Sequence, residues 1–203
     1  MNSEKEKIII SSIDLFVKKG FSKTSMDDIA QSLKMSKKTL YKHFNSKDIL
    51  LKQSVLHFMD VNNNKMQMII DSNDNAVVKA YNLFNFISNV LLNLSENFLM
   101  DIKIREPNLW KVIDKLRTKY MIQNLTGIID QGKRESYFIE ESTSLIINTF
   151  ISVIRGNVNP KIALQKSISI ERSFKESIKI LMNGILTTKG KKIFKSLNIG
   201  AIK

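Results

Sequence analysis

With 203 residues, 43% of them hydrophobic and 25% charged, the chain has the apolar content for a buried core and length for one large domain or a small domain joined to a larger one. Two prolines and seven glycines leave little turn material for an all-β fold, and the absence of cysteine excludes disulfides, thiolate metal sites and thiol catalysis. The formal charge of +13 divides as +4 over residues 1–50, −1 over 51–100 and +10 over 101–203, and such an excess speaks to non-specific association, not to fold. Met1 to Lys7 is charged and the apolar run at Ile8 is soon interrupted, unlike a signal peptide. No apolar run nears the roughly 20 residues that span a bilayer. The expected location is the cytoplasm, and the expected fold is all-α.

In chain order, Ile9/Ile10, Ile13, Phe16 and Val17 recur at helical spacing, and two lysines followed by Gly20 mark the end of a first helix. The lysines complement the negative end of the helix dipole, and glycine accepts the left-handed conformation that stops the helix. Thr24 or Ser25 caps a second helix, with Asp27 or Asp28 three residues on completing a capping box. Its buried face is Met26, Ile29, Ala30 and Leu33. Ser36 caps a third helix whose Leu40 and Phe44 face inward, and Ser46 caps a fourth, with Asp48 near its positive end. That helix continues through the polar patch Asn62–Asn64 to about Ile70 and breaks at Asp71–Asn75.

Four more amphipathic helices follow. Ala80, Leu83, Phe84, Ile87, Leu91 and Leu94 form one stripe. Leu109, Ile113, Leu116 and Tyr120 begin another that ends near Gly132. A third covers Glu140 to Ile154, ended by Gly156 and Pro160, and the last runs from about Ser167 to Leu186.

The third helix carries Lys37, Lys38, Thr39, Tyr41, Lys42 and His43 on its polar positions. A major groove admits one helix, and base edges are read by donors and acceptors near the helix start. Lys37 and Lys38 can donate to guanine O6 and N7, and Thr39 can meet a base, a phosphate or a thymine methyl. Lys47 sits at a helix N-terminus, where free N–H groups favour an anion.

Ile29-Ala30, Ser36, Thr39-Leu40-Tyr41, Phe44 and Ser46-Lys47-Asp48, with Ile10, Ile13, Phe16 and Gly20-Phe21 upstream, resemble the helix-turn-helix domain of the TetR family of bacterial transcriptional regulators. The resemblance covers about a quarter of the chain; beyond residue 55 only length and a layout of some nine helices match. It implies base contacts from the first-turn positions Lys37, Lys38 and Thr39, and phosphate contacts from Tyr41, Lys42 and His43. Thr24, Ser25, Ser36 and Lys47 complete the candidate DNA-binding set. One departure stands out: the turn Leu33-Lys34-Met35 holds a lysine where the family usually has glycine, a strain on the order of 1 kcal/mol.

The resemblance further implies a DNA-binding domain over residues 1–50, a ligand-sensing and dimerisation domain over 51–188 and a basic tail over 189–203. Phe84, Met100, Trp110, Tyr120 and Asn124 are candidate effector-pocket residues, since pockets are mostly apolar with few polar groups. Leu145, Ile146, Phe150, Ile154, Phe174, Ile178, Leu181 and Ile185 are candidate dimer-interface residues, which would build an intermolecular four-helix bundle on a near-palindromic operator. The expected partners are operator DNA, a second copy of the chain and a small-molecule effector. The expected function is a repressor relieved by that effector. The alternative is a regulator without a ligand: an activator, or a non-specific DNA or membrane-surface binder acting through its basic regions.

No residues are arranged as nucleophile, base and orienter, His57 has no partner at metal-ligand spacing, and no cofactor motif is present, so neither catalysis nor a metal or cofactor is expected. The tail carries five lysines and no acid over residues 189–203, with Ile193, Phe194, Leu197 and Ile199 interleaved. It is expected as a frayed end or a packed strap in preference to a membrane-surface segment.

Overall fold

A computed structural model of the chain describes residues 4–157, 159 and 168–197. The helices in order are α1 (Glu4–Lys19), α2 (Met26–Ser32), α3 (Lys37–His43), α4 (Lys47–Ile70), α5 (Ala76–Asn93), α6 (Glu96–Arg105), α7 (Pro107–Arg134), α8 (Thr143–Asn157), α9 (Ile170–Ile185) and α10 (Thr188–Ser196). Among the described residues the only strand-like feature is a single antiparallel bridge between Phe138 and Leu186. The fold is all-α, as the scarcity of glycine and proline requires. Two compact units are present: Met1–Asn63 with Asn93–Asp114, and Asn64–Leu92 with Lys115–Lys203.

Local chemistry sets the helix ends in the first unit. Gly20 adopts φ +91°, the left-handed conformation that ends α1, and its N–H still reaches the Phe16 carbonyl at 2.9 Å. Of the two candidate caps for α2, Ser25 is the one used. Its hydroxyl accepts from the Asp28 N–H while the Asp28 carboxylate accepts from the Ser25 N–H, a full capping box. Ser36 accepts from the Thr39 N–H at the start of α3, and Ser46 from the Ile49 N–H at the start of α4.

The caps aim the apolar stripes at a common centre. Ile8, Phe16, Ile29, Leu40, Phe44, Leu50 and Leu51 are almost wholly buried there, and Phe16 meets Phe21 edge-on with ring centres 5.6 Å apart.

Helix α6 has no counterpart in the sequence reading. It belongs to this first core, to which it contributes Phe98 and Ile102, with Ser95 as its cap. Two inward positions four apart make a stripe too short to register as a period, and Leu94 reads as the tail of the preceding helix. Once folded, α6 also holds the α1–α2 loop, because the Asp101 carboxylate accepts from the Ser22 N–H at 2.9 Å.

In the second unit, Phe84 of α5 stacks on Phe150 of α8, with ring centres 5.9 Å apart, and meets Phe174 of α9 at 6.3 Å. Part of the basic tail is helical: α10 is capped by Thr187, buries Phe194, and passes so close to the 136–138 segment that a Cβ on Gly190 would lie 2.3 Å from the Tyr137 carbonyl oxygen. Lys189 donates to the Glu135 carbonyl and lies 4.5 Å from the Tyr137 ring centre. The rest of the tail, residues 198–203, and Pro160 lie outside the described residues.

Candidate nucleic-acid interface

Helices α2 and α3 are joined by Leu33–Met35. The turn is closed by the Lys34 N–H on the Gln31 carbonyl and the Met35 N–H on the Ala30 carbonyl, at 3.1 and 3.0 Å. Lys34 has φ +53°, the left-handed conformation anticipated for the position where a glycine is usual. The turn carries the chain into α3 with Ser36 as its cap. Leu40 and Phe44, four residues apart, are buried in the first core, which fixes the roll of the helix about its axis. The opposite face of α3 is thereby turned to solvent.

On that face Lys37, Lys38, Tyr41 and Lys42 are exposed and Thr39 is half-buried, its hydroxyl 2.8 Å from that of Ser36. No acid lies on α3 itself. Among the described residues Lys38 and Lys42 have no ion-pair partner. Two cationic side chains and a phenol are therefore free to meet an anionic surface.

The other candidates are more constrained. Lys37 pairs with Asp27 of α2, its Nζ 2.8 Å from Oδ1 and 2.9 Å from Oδ2. The hydrogen bond to Asp27, followed by the charge of that carboxylate, raises the lysine above its ordinary pKa. His43 Nε2 lies 3.0 Å from a carboxylate oxygen of Glu4 on α1.

Ser25 is exposed, but its hydroxyl is committed to Asp28, whose carboxyl is lowered by the hydroxyl's hydrogen bond first and by the Ser25 N–H second. Thr24 is 1% exposed and donates to the Gly20 carbonyl at 2.8 Å, so its side chain closes the loop from inside. Lys47 does not extend into solvent. Its ammonium donates to the Phe21 and Thr24 carbonyls, each at 3.1 Å, and lies 4.2 Å from the Phe21 ring centre. Two of its three donors thus hold the loop to the start of α4.

The candidate effector residues are divided between the two units. Met100 and Trp110 belong to the first unit, where Trp110 packs on the core and has Lys103 5.5 Å from its ring centre. Tyr120 and Asn124 lie on α7 in the second unit. Asn124 is buried and accepts from the Gln67 amide at 2.6 Å. Phe84 alone of the five lines a small cavity in that unit, together with Tyr81, Asn85, Ser88, Phe174 and Phe194. The sequence reading did not anticipate Tyr81, Asn85, Ser88 or Phe194, whose convergence depends on how α5, α9 and α10 pack.

Of the candidate dimer residues, Ile146, Phe150, Ile154, Phe174 and Ile178 are buried within a single protomer, and Leu181 and Ile185 are half-buried. The outward apolar positions on α8 and α9 are Leu145, 57% exposed, and Ile180, 71% exposed. Among the described residues no helix is long and apolar enough to cross a membrane. No group of three or more His, Asp or Glu side chains there could hold a metal ion.

A capped helix held by two buried anchors behind a tight turn, with lysines and a tyrosine outward, defines a DNA-binding domain of the helix-turn-helix class. The family profile of bacterial regulatory proteins, tetR family, matches residues 8–53, the span from α1 into α4. Residues 8–53 thus form a helix-turn-helix domain of the TetR type.

A curated relative is the biofilm operon icaADBC HTH-type negative transcriptional regulator IcaR of Staphylococcus aureus. It is 39% identical over 87 residues, which cover 42% of this chain and 47% of the relative, so the chain spans about half the length of this relative. Among solved structures, a transcriptional regulator from Cytophaga hutchinsonii superposes with a TM-score of 0.75 at 21% identity, over 92% of this chain and all of that one. A putative regulator from Saccharomonospora viridis, crystallised with choline, superposes at 0.68 with 14% identity, over 90% of this chain and 97% of that one. At those identities the likeness is one of fold.

Proposed function

We propose that this protein is a sequence-specific repressor that binds a near-palindromic operator as a homodimer and is released by a small-molecule effector. The observation that carries the DNA-binding part is the outward face of α3, where Lys38, Tyr41 and Lys42 stand clear of internal ion pairs while Leu40 and Phe44 anchor the helix. Repression rather than activation is supported by the similarity to IcaR, a negative regulator, over 87 residues.

Dimerisation is supported by Leu145 and Ile180, large apolar side chains exposed on α8 and α9, the two helices that pack most extensively on one another. Burying such side chains against a second copy removes apolar surface from water at about 25 cal/mol per Å². Two α3 helices on a two-fold dimer would read half-sites about 34–36 Å apart, or a multiple of that.

An effector acts only by favouring one arrangement of the dimer over another. The cavity beside Phe84 supports a ligand site in the second unit, and the choline complex of the S. viridis regulator shows that a chain of this fold holds a small molecule.

The test is fluorescence anisotropy on the DNA upstream of the gene, titrated across salt beside a scrambled duplex. The expected result is a preference of roughly 10³-fold or more for the operator, lost in Lys38→Ala combined with Tyr41→Phe. Equal binding to both duplexes, followed by failure to enrich any site from random DNA, refutes the sequence-specific reading.

A further inference from the structure

Two consecutive acids open α2, and they have different tasks. Asp28 completes the capping box with Ser25. Asp27 takes no part in the cap; its carboxylate reaches across to the first residue of α3 and holds Lys37 through both oxygens, at 2.8 and 2.9 Å. Both side chains remain largely exposed, 64% for Asp27 and 58% for Lys37, so the pair lies on the surface and not in the core. A carboxylate at this place stabilises the domain little, since exposed ion pairs contribute about 0–1 kcal/mol. It also sets a negative charge beside the face that would meet phosphates.

Resting on the DNA-binding reading above, we propose that Asp27 is a specificity-determining residue, which keeps Lys37 from contributing to binding on non-target DNA. The physical argument concerns what a lysine does when nothing restrains it. A free ammonium on a flexible stem neutralises whichever phosphate is nearest and specifies little. Each phosphate neutralised adds about 0.9 to the slope of log affinity against log salt on duplex DNA, whatever the sequence.

Clamped by Asp27, Lys37 carries no net charge to such a contact, and its stem is held across the start of α3. Non-specific binding by α3 is then left to Lys38 and Lys42. Operator binding, which rests on an aligned α3, loses little from the clamp. The ratio of the two affinities therefore rises.

The test is a double-mutant cycle on the full-length protein: wild type, Asp27→Asn, Lys37→Ala and the double variant, each titrated by anisotropy across salt. The probes are a scrambled duplex and the operator or the best site enriched from random DNA. Asp27→Asn should bind the scrambled duplex roughly 2- to 5-fold more tightly per engaged domain near 0.1 M salt, the most that an exposed pair of about 0–1 kcal/mol withholds, with a slope steeper by up to about 0.9. Its operator affinity should rise less.

Adding Lys37→Ala should abolish the gain. A gain that persists in the double variant overturns the proposal, because Asp27 would then act by simple repulsion of phosphates. No change in Asp27→Asn overturns it as well. If wild type itself fails to distinguish operator from scrambled DNA, the repressor reading fails, while the cycle on the scrambled duplex still decides whether Asp27 restrains Lys37.

Discussion

Replacing Lys34 by glycine should stabilise the first unit, although it removes a side chain and adds no contact. Lys34 sits at φ +53° in the turn between α2 and α3. For an L-residue this conformation brings Cβ close to the following carbonyl oxygen, at a cost of about 1–2 kcal/mol that glycine does not bear. Against that, glycine widens the unfolded ensemble, which costs about 0.4–1 kcal/mol on folding. Lys34 is exposed, so deleting its side chain leaves no cavity. The net gain should be roughly 0.5–1 kcal/mol, which at a urea m-value of about 2 kcal/mol/M raises the midpoint by about 0.3–0.5 M.

The sequence contains a single tryptophan, Trp110, and it packs against the core of the unit that contains this turn, so its fluorescence reports the right transition. Lys34→Ala is the control, since it removes the same charge and keeps the strained backbone. Equal stabilisation by alanine and glycine, or a loss of stability in Lys34→Gly, would refute the strain argument.

Two further substitutions separate local structure from assembly. Ser36→Ala removes the hydroxyl that accepts from the Thr39 N–H; it should cost about 1 kcal/mol in a urea titration and weaken operator binding measurably, if the first turn of α3 reads bases as proposed. Ile180→Asp places a charge on a side chain that is 71% exposed in the protomer. The helical circular dichroism should therefore be retained, while analytical ultracentrifugation should show the proposed dimer shifted to monomer. An unchanged dimer would place the interface away from the exposed face of α9.

Where the chain's information is local, it could be read without coordinates. Gly20, Ser36 and Ser46 end or begin helices through hydrogen bonds that reach three or four residues, and all three occupy those positions, while the choice of Ser25 over Thr24 as the cap of α2 came from the structure. Leu40 and Phe44 define the inward face of α3 by a spacing that every helix shares, and Lys34 was recognisable as a strained turn residue from its place in the helix-turn-helix pattern. Helix class, the start and roll of α3, and the cationic character of its outer face follow from such short-range rules.

Tertiary structure decided the rest. A lysine's long stem lets its ammonium settle wherever acceptors gather. Only the fold shows that Lys47 lies on the Phe21 and Thr24 carbonyls, and that Lys37 lies on an acid ten residues earlier. An apolar stripe states that a face will be covered but not by what. Phe150, Phe174 and Ile178 turned out to be covered by their own protomer, leaving Leu145 and Ile180 outside. Helix α6 has too few inward positions to show a period and is recognisable only from the core that Phe98 and Ile102 complete. Hydrogen bonds along a helix join near neighbours in sequence, whereas burial and ion pairing join residues that only the folded chain brings together.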